Sequence, residues 1–411
     1  MQTKRKIKIG LIGLGGRGNG LLTGIFNFDD VEVVAVCDRY EDRVVSAAQR
    51  VVDEVGCSRP FATRDYRKLL KTDADVVVIA AAWEAHAEIA VASMRAGKTV
   101  GLEVGGAYDV QSCWDMVDCY EKTKTPFMFL ENCCYNKDEL LAAALARNGL
   151  LGEPVFCSGS YCHDLREEIA NGTKKRHYRL ANYLTRNCEN YPTHELGPIC
   201  KILNINRGNR LVSLVSMSGK AAGMKAYIAE HEEYRAELGG KEFAQGDVVT
   251  TMIKCENGET ILIKLDTTLP CLYDRGLTVS GTKGFYNQTT NSVILDDGRF
   301  NHETTPYKEA FGSQERYSDY LPGVWRNITP EQLAAGHGGM DYIMLKHFFQ
   351  AVRNREEMPI DVYDAAVWMS VTALSALSIA DGSRPVEVPD FTRGSYKIRA
   401  QKDVLPLMRI K

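Results

Sequence analysis

Residues 7–13 (IKIGLIG) form a short apolar run that ends in glycine, the pattern of a strand buried on both faces. A helix is predicted to follow through about Phe26. Residues 31–37 (VEVVAVC) repeat the apolar run and stop at Asp38, with a helix over 41–55. The run 75–82 (DVVVIAAA) precedes a helix from about Glu84 to Ala96. Strands at 98–102 (KTVGL) and 126–131 (PFMFLE) enclose another helix. Strand and helix alternate throughout, which predicts a doubly wound parallel sheet.

The pattern changes near residue 136. A helix over 138–147 is followed by β-type stretches at 154–162, 211–218, 247–255, 259–267, 276–280 and 292–296. Turn signals such as Glu256-Asn257-Gly258 and Asp297-Gly298 separate some of them. Strands without intervening helices predict a large, mostly antiparallel sheet in an α+β domain. Helices are expected at 192–203, 340–353 and 363–380. The expected domains are 1–135, 136–384 and a surface strap, 385–411. The charged stretch 229–242 reads as a solvated face.

Composition narrows the partners. Hydrophobic residues make up 45% of the 411 residues and charged residues 25%, so the chain is an ordinary globular one. Fifty basic and 53 acidic residues leave a net charge of −3, with no basic excess to neutralise nucleic-acid phosphates. No membrane partner is expected, because no apolar run approaches a span of roughly 18 residues. The N-terminus runs into a strand without a secretory apolar region, so a cytoplasmic location is expected. The twelve cysteines are scattered, as buried thiols in a reducing compartment are. Adjacent Cys133 and Cys134 could form a redox pair, but buried thiols are the simpler reading. Cys157, Cys162 and His163 match no common zinc spacing, so no metal is expected.

The sharpest chemical signal is Gly13-Leu14-Gly15-Gly16-Arg17-Gly18, a G-x-G-x-x-G turn between strand and helix. Such a turn brings backbone amides and a helix N-terminus to a pyrophosphate. Asp38 follows 20 residues after Gly18 at the end of the second strand, where a carboxylate can hold both ribose hydroxyls of NAD. It would repel the 2′-phosphate of NADP, although Arg39 beside it could accept one. The expected cofactor is NAD, with Gly13, Gly15, Arg17, Gly18, Asp38 and Arg39 around it.

The glycine turn, the segment Trp83-Glu84-Ala85-His86 and Glu103 after its strand together resemble the Gfo/Idh/MocA oxidoreductases. That resemblance implies an N-terminal Rossmann domain and a C-terminal domain with an open sheet. Many such proteins carry Glu-Lys-Pro where this chain has Glu103-Val104-Gly105, and their lysine helps move the substrate proton. The segments MFLENCCY (128–135), NYPTHELGP (190–198), VSLVSMSG (212–219), DTTLPCLYDRGLTVSGTKG (266–284), GHGGMDY (336–342) and DVYDAAVW (361–368) resemble glycoside hydrolase family 109 more closely. In that family, valine in place of the lysine is usual. Glu195 departs from the glycine common there, and Ala85 and Cys133-Cys134 also vary its pattern.

The resemblance implies an NAD-dependent α-N-acetylgalactosaminidase route: oxidation at C3 of the sugar, loss of the C2 proton with expulsion of the C1 group, water addition and re-reduction. It places Trp83, His86, Glu103, Val104 and Asn132 near the nicotinamide. It assigns the C2 proton to Tyr161 and a carboxylate role to Glu131. Arg179 and Tyr273 match substrate contacts. Independently, Pro192 predicts a helix start that leaves His194 near the positive end, favouring the neutral imidazole of a base for the C3 hydroxyl. Tyr191 lies three residues earlier and His163 two residues after Tyr161, so each can face the same pocket as its neighbour. His337 and Asp341 are expected only to hold the closing helix. A sugar or cyclitol dehydrogenase using His194, and an NAD-binding sensor without turnover, are the rival readings. The substrate is expected to be a small carbohydrate and the assembly a homo-oligomer, dimer or tetramer, by analogy.

Overall fold

The computed structural model describes residues 5–301 and 303–410. The chain forms two compact units.

One unit comprises the chain up to Val104, Gln111–Tyr135 and Asn327–Ala366. Its strands are β1 (Ile7–Ile12), β2 (Val31–Cys37), β3 (Phe61–Thr63), β4 (Val76–Ile79), β5 (Thr99–Leu102) and β6 (Phe127–Phe129). All pairs are parallel, in the order β3-β2-β1-β4-β5-β6. The order reverses between β1 and β4, which opens a crevice at the carboxyl ends of the strands. Ile9, Leu11, Val77 and Val78 are fully buried, as both faces of the sheet are covered. The helix Glu41–Val55 buries Val44, Ala47, Ala48 and Val51, a single stripe at helical spacing. The edge strand β3 escapes the sequence pattern because its Phe61 is 46% exposed and only three residues pair.

Segment 327–366 belongs to this unit, although a linear reading groups it with 136–384. The reason is packing. The helix Met340–Asn354 buries Ile343, Met344, Leu345, Phe348 and Phe349. Gly101 on β5 leaves room for the Phe348 ring, which a Cβ there would approach to 2.9 Å. Alternation of strands and helices along the chain cannot reveal that a late helix returns to an early sheet.

The other unit comprises Gly105–Val110, Asn136–Arg326 and the chain from Val367 onward. Its strands are β7 (Pro154–Cys162), β8 (Leu211–Ser218), β9 (Val248–Cys255), β10 (Thr260–Asp266), β11 (Thr278–Gly281), β12 (Gly284–Asn287), β13 (Ser292–Leu295) and β14 (Val386–Glu387). The order is β13-β12-β11-β7-β10-β9-β8-β14. Only β7 and β10 pair in parallel; the other neighbours are antiparallel. Strict alternation on β9 buries Val249, Thr251, Ile253 and Cys255 while Met252 on the opposite face is 45% exposed. The tail expected as a surface strap begins with β14, which extends the sheet along β8, and is held further on where Arg147 binds Asp403 at 2.9 Å. The stretch 229–242 contains a short helix, Glu232–Leu238, that buries only Leu238.

The expectation that no apolar run approaches the length of a membrane span is corrected by one helix. The helix Val362–Ala380 is long and apolar enough to cross a membrane by length and composition. Its most apolar window is 78% buried inside the protein, with Trp368 fully enclosed, which is the signature of a core helix.

Candidate functional site

The chemistry expected from the sequence falls into two sets of residues, one in each unit. In the first, β1 ends in a turn that only glycine can make. Gly13 has φ of +91°, and a Cβ on Gly18 would lie 1.8 Å from the Gly13 carbonyl oxygen. Helix Gly16–Ile25 can therefore start directly over the strand. Its N-terminus has no side-chain cap and no acidic residue in the first turn. A Cβ on Gly16 would meet nothing within 4 Å. Unsatisfied amides facing open space make an anion site.

Asp38 is buried at the end of β2. Its two oxygens accept hydrogen bonds from Leu14 N (2.7 Å) and Tyr40 N (2.9 Å), which fix the carboxylate beside the glycine turn. Arg39 is exposed, and its guanidinium lies over the Tyr40 ring at 5.4 Å. Trp83 and His86 are buried after β4. His86 Nε2 donates to Ala81 O at 2.9 Å, which leaves Nδ1 as an acceptor. Nδ1 is buried and has no hydrogen-bond partner. Burial pushes this imidazole down to about 4, so it is neutral. A primary amide would satisfy Nδ1, and nicotinamide carries one. The glycine turn, Asp38 and His86 thus fit three parts of NAD, the pyrophosphate, a ribose and the nicotinamide.

Glu103 follows β5, and its Oε2 accepts from Val104 N at 3.1 Å. Glu131 follows β6, fully buried, and accepts from Cys133 N at 3.0 Å. Asn132 donates to Asp341 at 2.8 Å. Arg17 reaches Glu103 at 2.8 Å and Asp341 at 2.6 Å, and His337 Nδ1 lies 2.8 Å from Asp341. Sequence reasoning gave Asp341 and His337 no chemical partner. The one available signal was the glycine cluster before them, because a pair 324 residues apart leaves no periodicity.

In the second unit, β7 carries Tyr161, and the helix Thr193–Ile202 starts with Pro192 as its cap residue. Strand and helix approach closely at Gly159, where a Cβ would stand 2.7 Å from Glu195 Cβ. That contact brings the neighbouring Tyr161 and His194 together, with ring centres 5.6 Å apart. Tyr191 lies 4.7 Å from Tyr161 and 4.8 Å from His194, and its hydroxyl is 3.3 Å from His194 Nε2. Tyr161 OH is 3.0 Å from His163 Nδ1. Tyr273 packs edge-on against His163 at 5.0 Å, and Arg275 donates to its hydroxyl at 3.0 Å. Arg275 is itself held by Glu139 at 2.6 Å, a support absent from the sequence reading.

Arg179 completes this set, with its guanidinium 5.1 Å from the Tyr191 ring and its Nε 2.8 Å from Glu168. Burial pushes the Tyr161 phenol well up, against the opposing pull of Arg179. Burial and Arg179 push His163 down, so it is a neutral acceptor. All six residues expected to meet the substrate in this unit therefore share one cluster. Two residues before Tyr191, Glu189 is fully buried, and burial pushes its carboxyl up to about 8 against the opposing pull of the Tyr191 and Leu265 backbone.

A six-stranded parallel sheet with a glycine turn at its switch point in one unit, and a large open sheet in the other, define the class: an NAD-binding Rossmann domain joined in one chain to a second α+β domain. Residues 7–130 match the oxidoreductase family with an NAD-binding Rossmann fold, Gfo/Idh/MocA. Residues 135–398 match the C-terminal domain of glycosyl hydrolase 109. The chain is 37% identical over 422 aligned positions to a glycosyl hydrolase family 109 protein of Stenotrophomonas maltophilia, covering 96% of this chain and 91% of that one. It is 34% identical to an alpha-N-acetylgalactosaminidase of Tannerella forsythia, covering 95% and 87%. An oxidoreductase of Agrobacterium radiobacter, solved with NAD+, L-tartaric acid and magnesium, shares the fold with a TM-score of 0.63 and 16% identity, over 93% of this chain and 98% of that one. The chain belongs to glycosyl hydrolase family 109, an NAD-dependent glycosidase family built on an oxidoreductase fold.

Proposed function

We infer that this enzyme hydrolyses α-N-acetylgalactosaminides or closely related glycosides, with no net oxidation. The observation that carries this reading is the cluster Tyr161, His163, Arg179, Tyr191, His194 and Tyr273. It is a set of phenols, imidazoles and one cation suited to moving protons on a sugar, rather than two carboxylates flanking a glycosidic bond. The name of the Tannerella forsythia relative supports the substrate class.

NAD, held by the glycine turn, Asp38 and His86, would supply the hydride acceptor for C3 of the sugar and, once reduced, the hydride donor that restores it. His194 takes the proton of the C3 hydroxyl. Once C3 is a ketone, the C2 proton becomes acidic, and Tyr161 removes it. A buried phenol is a poor base by itself. His163 Nδ1, within hydrogen-bond reach, takes the phenolic proton as the Tyr161 oxygen takes the one from C2. The substituent at C1 then leaves with its bonding electrons, and water adds at C1. Arg179 and Tyr273 orient the sugar, and Tyr191 holds His194 Nε2 in place.

The test is a panel of nitrophenyl glycosides, both anomers, with and without catalytic NAD+. Aglycone release that depends on NAD+ and leaves no accumulated NADH is expected. Product formed in D2O should carry deuterium at C2. Stoichiometric NADH with no aglycone would instead identify a sugar dehydrogenase. We also infer a reducing, cytoplasmic setting, supported by twelve free thiols of which ten are buried. A homo-oligomer paired through the open sheet face is supported by exposed Met217 and Met252, and sedimentation will give its size.

A further inference from the structure

The segment Gly336-His337-Gly338-Gly339-Met340-Asp341 takes no part in the proton transfers above, yet it is held in a demanding shape. Residues 336–339 all have positive φ: +98°, +44°, +62° and +94°. Glycine adopts this freely, whereas His337 does so against its own Cβ. Its Nδ1 hydrogen bond to Asp341 holds it there.

Asp341 is almost fully buried. Its Oδ1 accepts from Asn132 Nδ2 at 2.8 Å and from Arg17 Nη2 at 3.0 Å, and its Oδ2 accepts from Arg17 Nη1 at 2.6 Å. The same guanidinium donates through Nε to Glu103 at 2.8 Å. Burial opposes the charges of Arg17 and Asp341, yet the two carboxylates hold Arg17 firmly protonated. The His337 hydrogen bond and Arg17 hold Asp341 well below the usual carboxylate range. One planar fork thus joins two carboxylates, a geometry that lysine cannot copy.

The place of this network matters more than its strength. Arg17 springs from the first turn of the helix after β1, Glu103 follows β5, and Asn132 follows β6. In the sheet, β4 lies between β1 and β5. The Arg17 side chain therefore spans the end of β4, across the crevice where a dinucleotide lies in this fold. We propose that Asp341 is a positioning residue that locks Arg17 and Glu103 into a clasp across the bound cofactor and slows its departure. A cycle without net oxidation uses the same cofactor repeatedly, so retention suits it. The proposal rests on the cofactor site alone and not on the identity of the sugar.

The test uses the full chain loaded with NADH and chased with excess NAD+, following loss of nicotinamide fluorescence. Asp341→Asn keeps the shape of the side chain and removes its charge. It should speed NADH dissociation about 10- to 100-fold, as expected for losing hydrogen bonds between charged groups, with association changed less than about threefold. Arg17→Lys keeps the charge without the fork and should act in the same direction, which decides the matter if the first variant does not fold. Dissociation at the wild-type rate in the folded variant, or a loss confined to association, would overturn the clasp. Failure of the glycosidase reading would appear instead as no aglycone release by the wild-type enzyme, with these cofactor rates unaffected.

Discussion

The candidate cofactor site and the proposed sugar site are built by different means. The first is made from backbone: free amides at a helix start, a glycine turn without room for side chains, and a carboxylate pinned by two peptide N–H groups. The second is made from side chains: three phenol rings, two imidazoles and a guanidinium packed against one another. Backbone sites bind a constant group tightly and tolerate few changes. Side-chain sites can be altered one residue at a time, so different sugars can be served by one cofactor frame.

The difference is open to direct attack. His194→Ala and Tyr161→Phe should lower kcat by about 10²–10⁴-fold, the usual weight of a positioned acid or base, while NADH titration shows little change in cofactor affinity. Loss of cofactor binding in either variant would break the separation. The mirror experiment is Gly18→Ala, whose Cβ cannot coexist with the Gly13 carbonyl. It should weaken NAD binding about 100-fold or more by moving the helix N-terminus off the pyrophosphate.

A smaller effect sharpens the sugar site. His163→Gln keeps polarity but cannot accept and hold the phenolic proton of Tyr161. A fall in kcat of about tenfold is expected, with a change in the pH–rate profile that Tyr273→Phe does not reproduce. Identical pH profiles for wild type and the His163 variant would reduce His163 to a packing role.

The smallest effect concerns stability. The Glu189 carboxyl is pushed up to about 8 in the folded chain by burial, above its unfolded value near 4.5. Between those values the folded state holds the extra proton. Stability is therefore fullest below the unfolded value and falls as pH rises toward 8. Glu189→Gln should flatten that slope and raise Tm at pH 8 by a few degrees, on the order of 2–4 °C. A steeper slope in the variant would show the carboxyl to be ionised and paired.

The cofactor half was largely legible in sequence because its chemistry is local. Gly13, Gly15, Gly18 and Asp38 occur within one strand–helix–strand passage, and each residue type has one physical reason to be there. Tyr191 and His194 were legible for the same reason, being three residues apart at a helix start. Arg39 was read from its place beside Asp38, and its guanidinium lies 5.4 Å from the Tyr40 ring. The third set is the partners of Arg17. Nothing near residue 17 announces Asp341, and nothing in the late glycine run announces a dinucleotide turn.

By itself, the order of residues determined the strand–helix alternation, the pyrophosphate turn and the residue types of both sites, because these depend on neighbours a few positions apart. Only the folded chain decided that 327–366 returns to the first sheet, that Gly159 seats Glu195 so that Tyr161 meets His194, and that Arg17 is gripped by two distant carboxylates. Those outcomes depend on packing and charge between residues far apart in the chain, and such contacts leave no periodic trace along it.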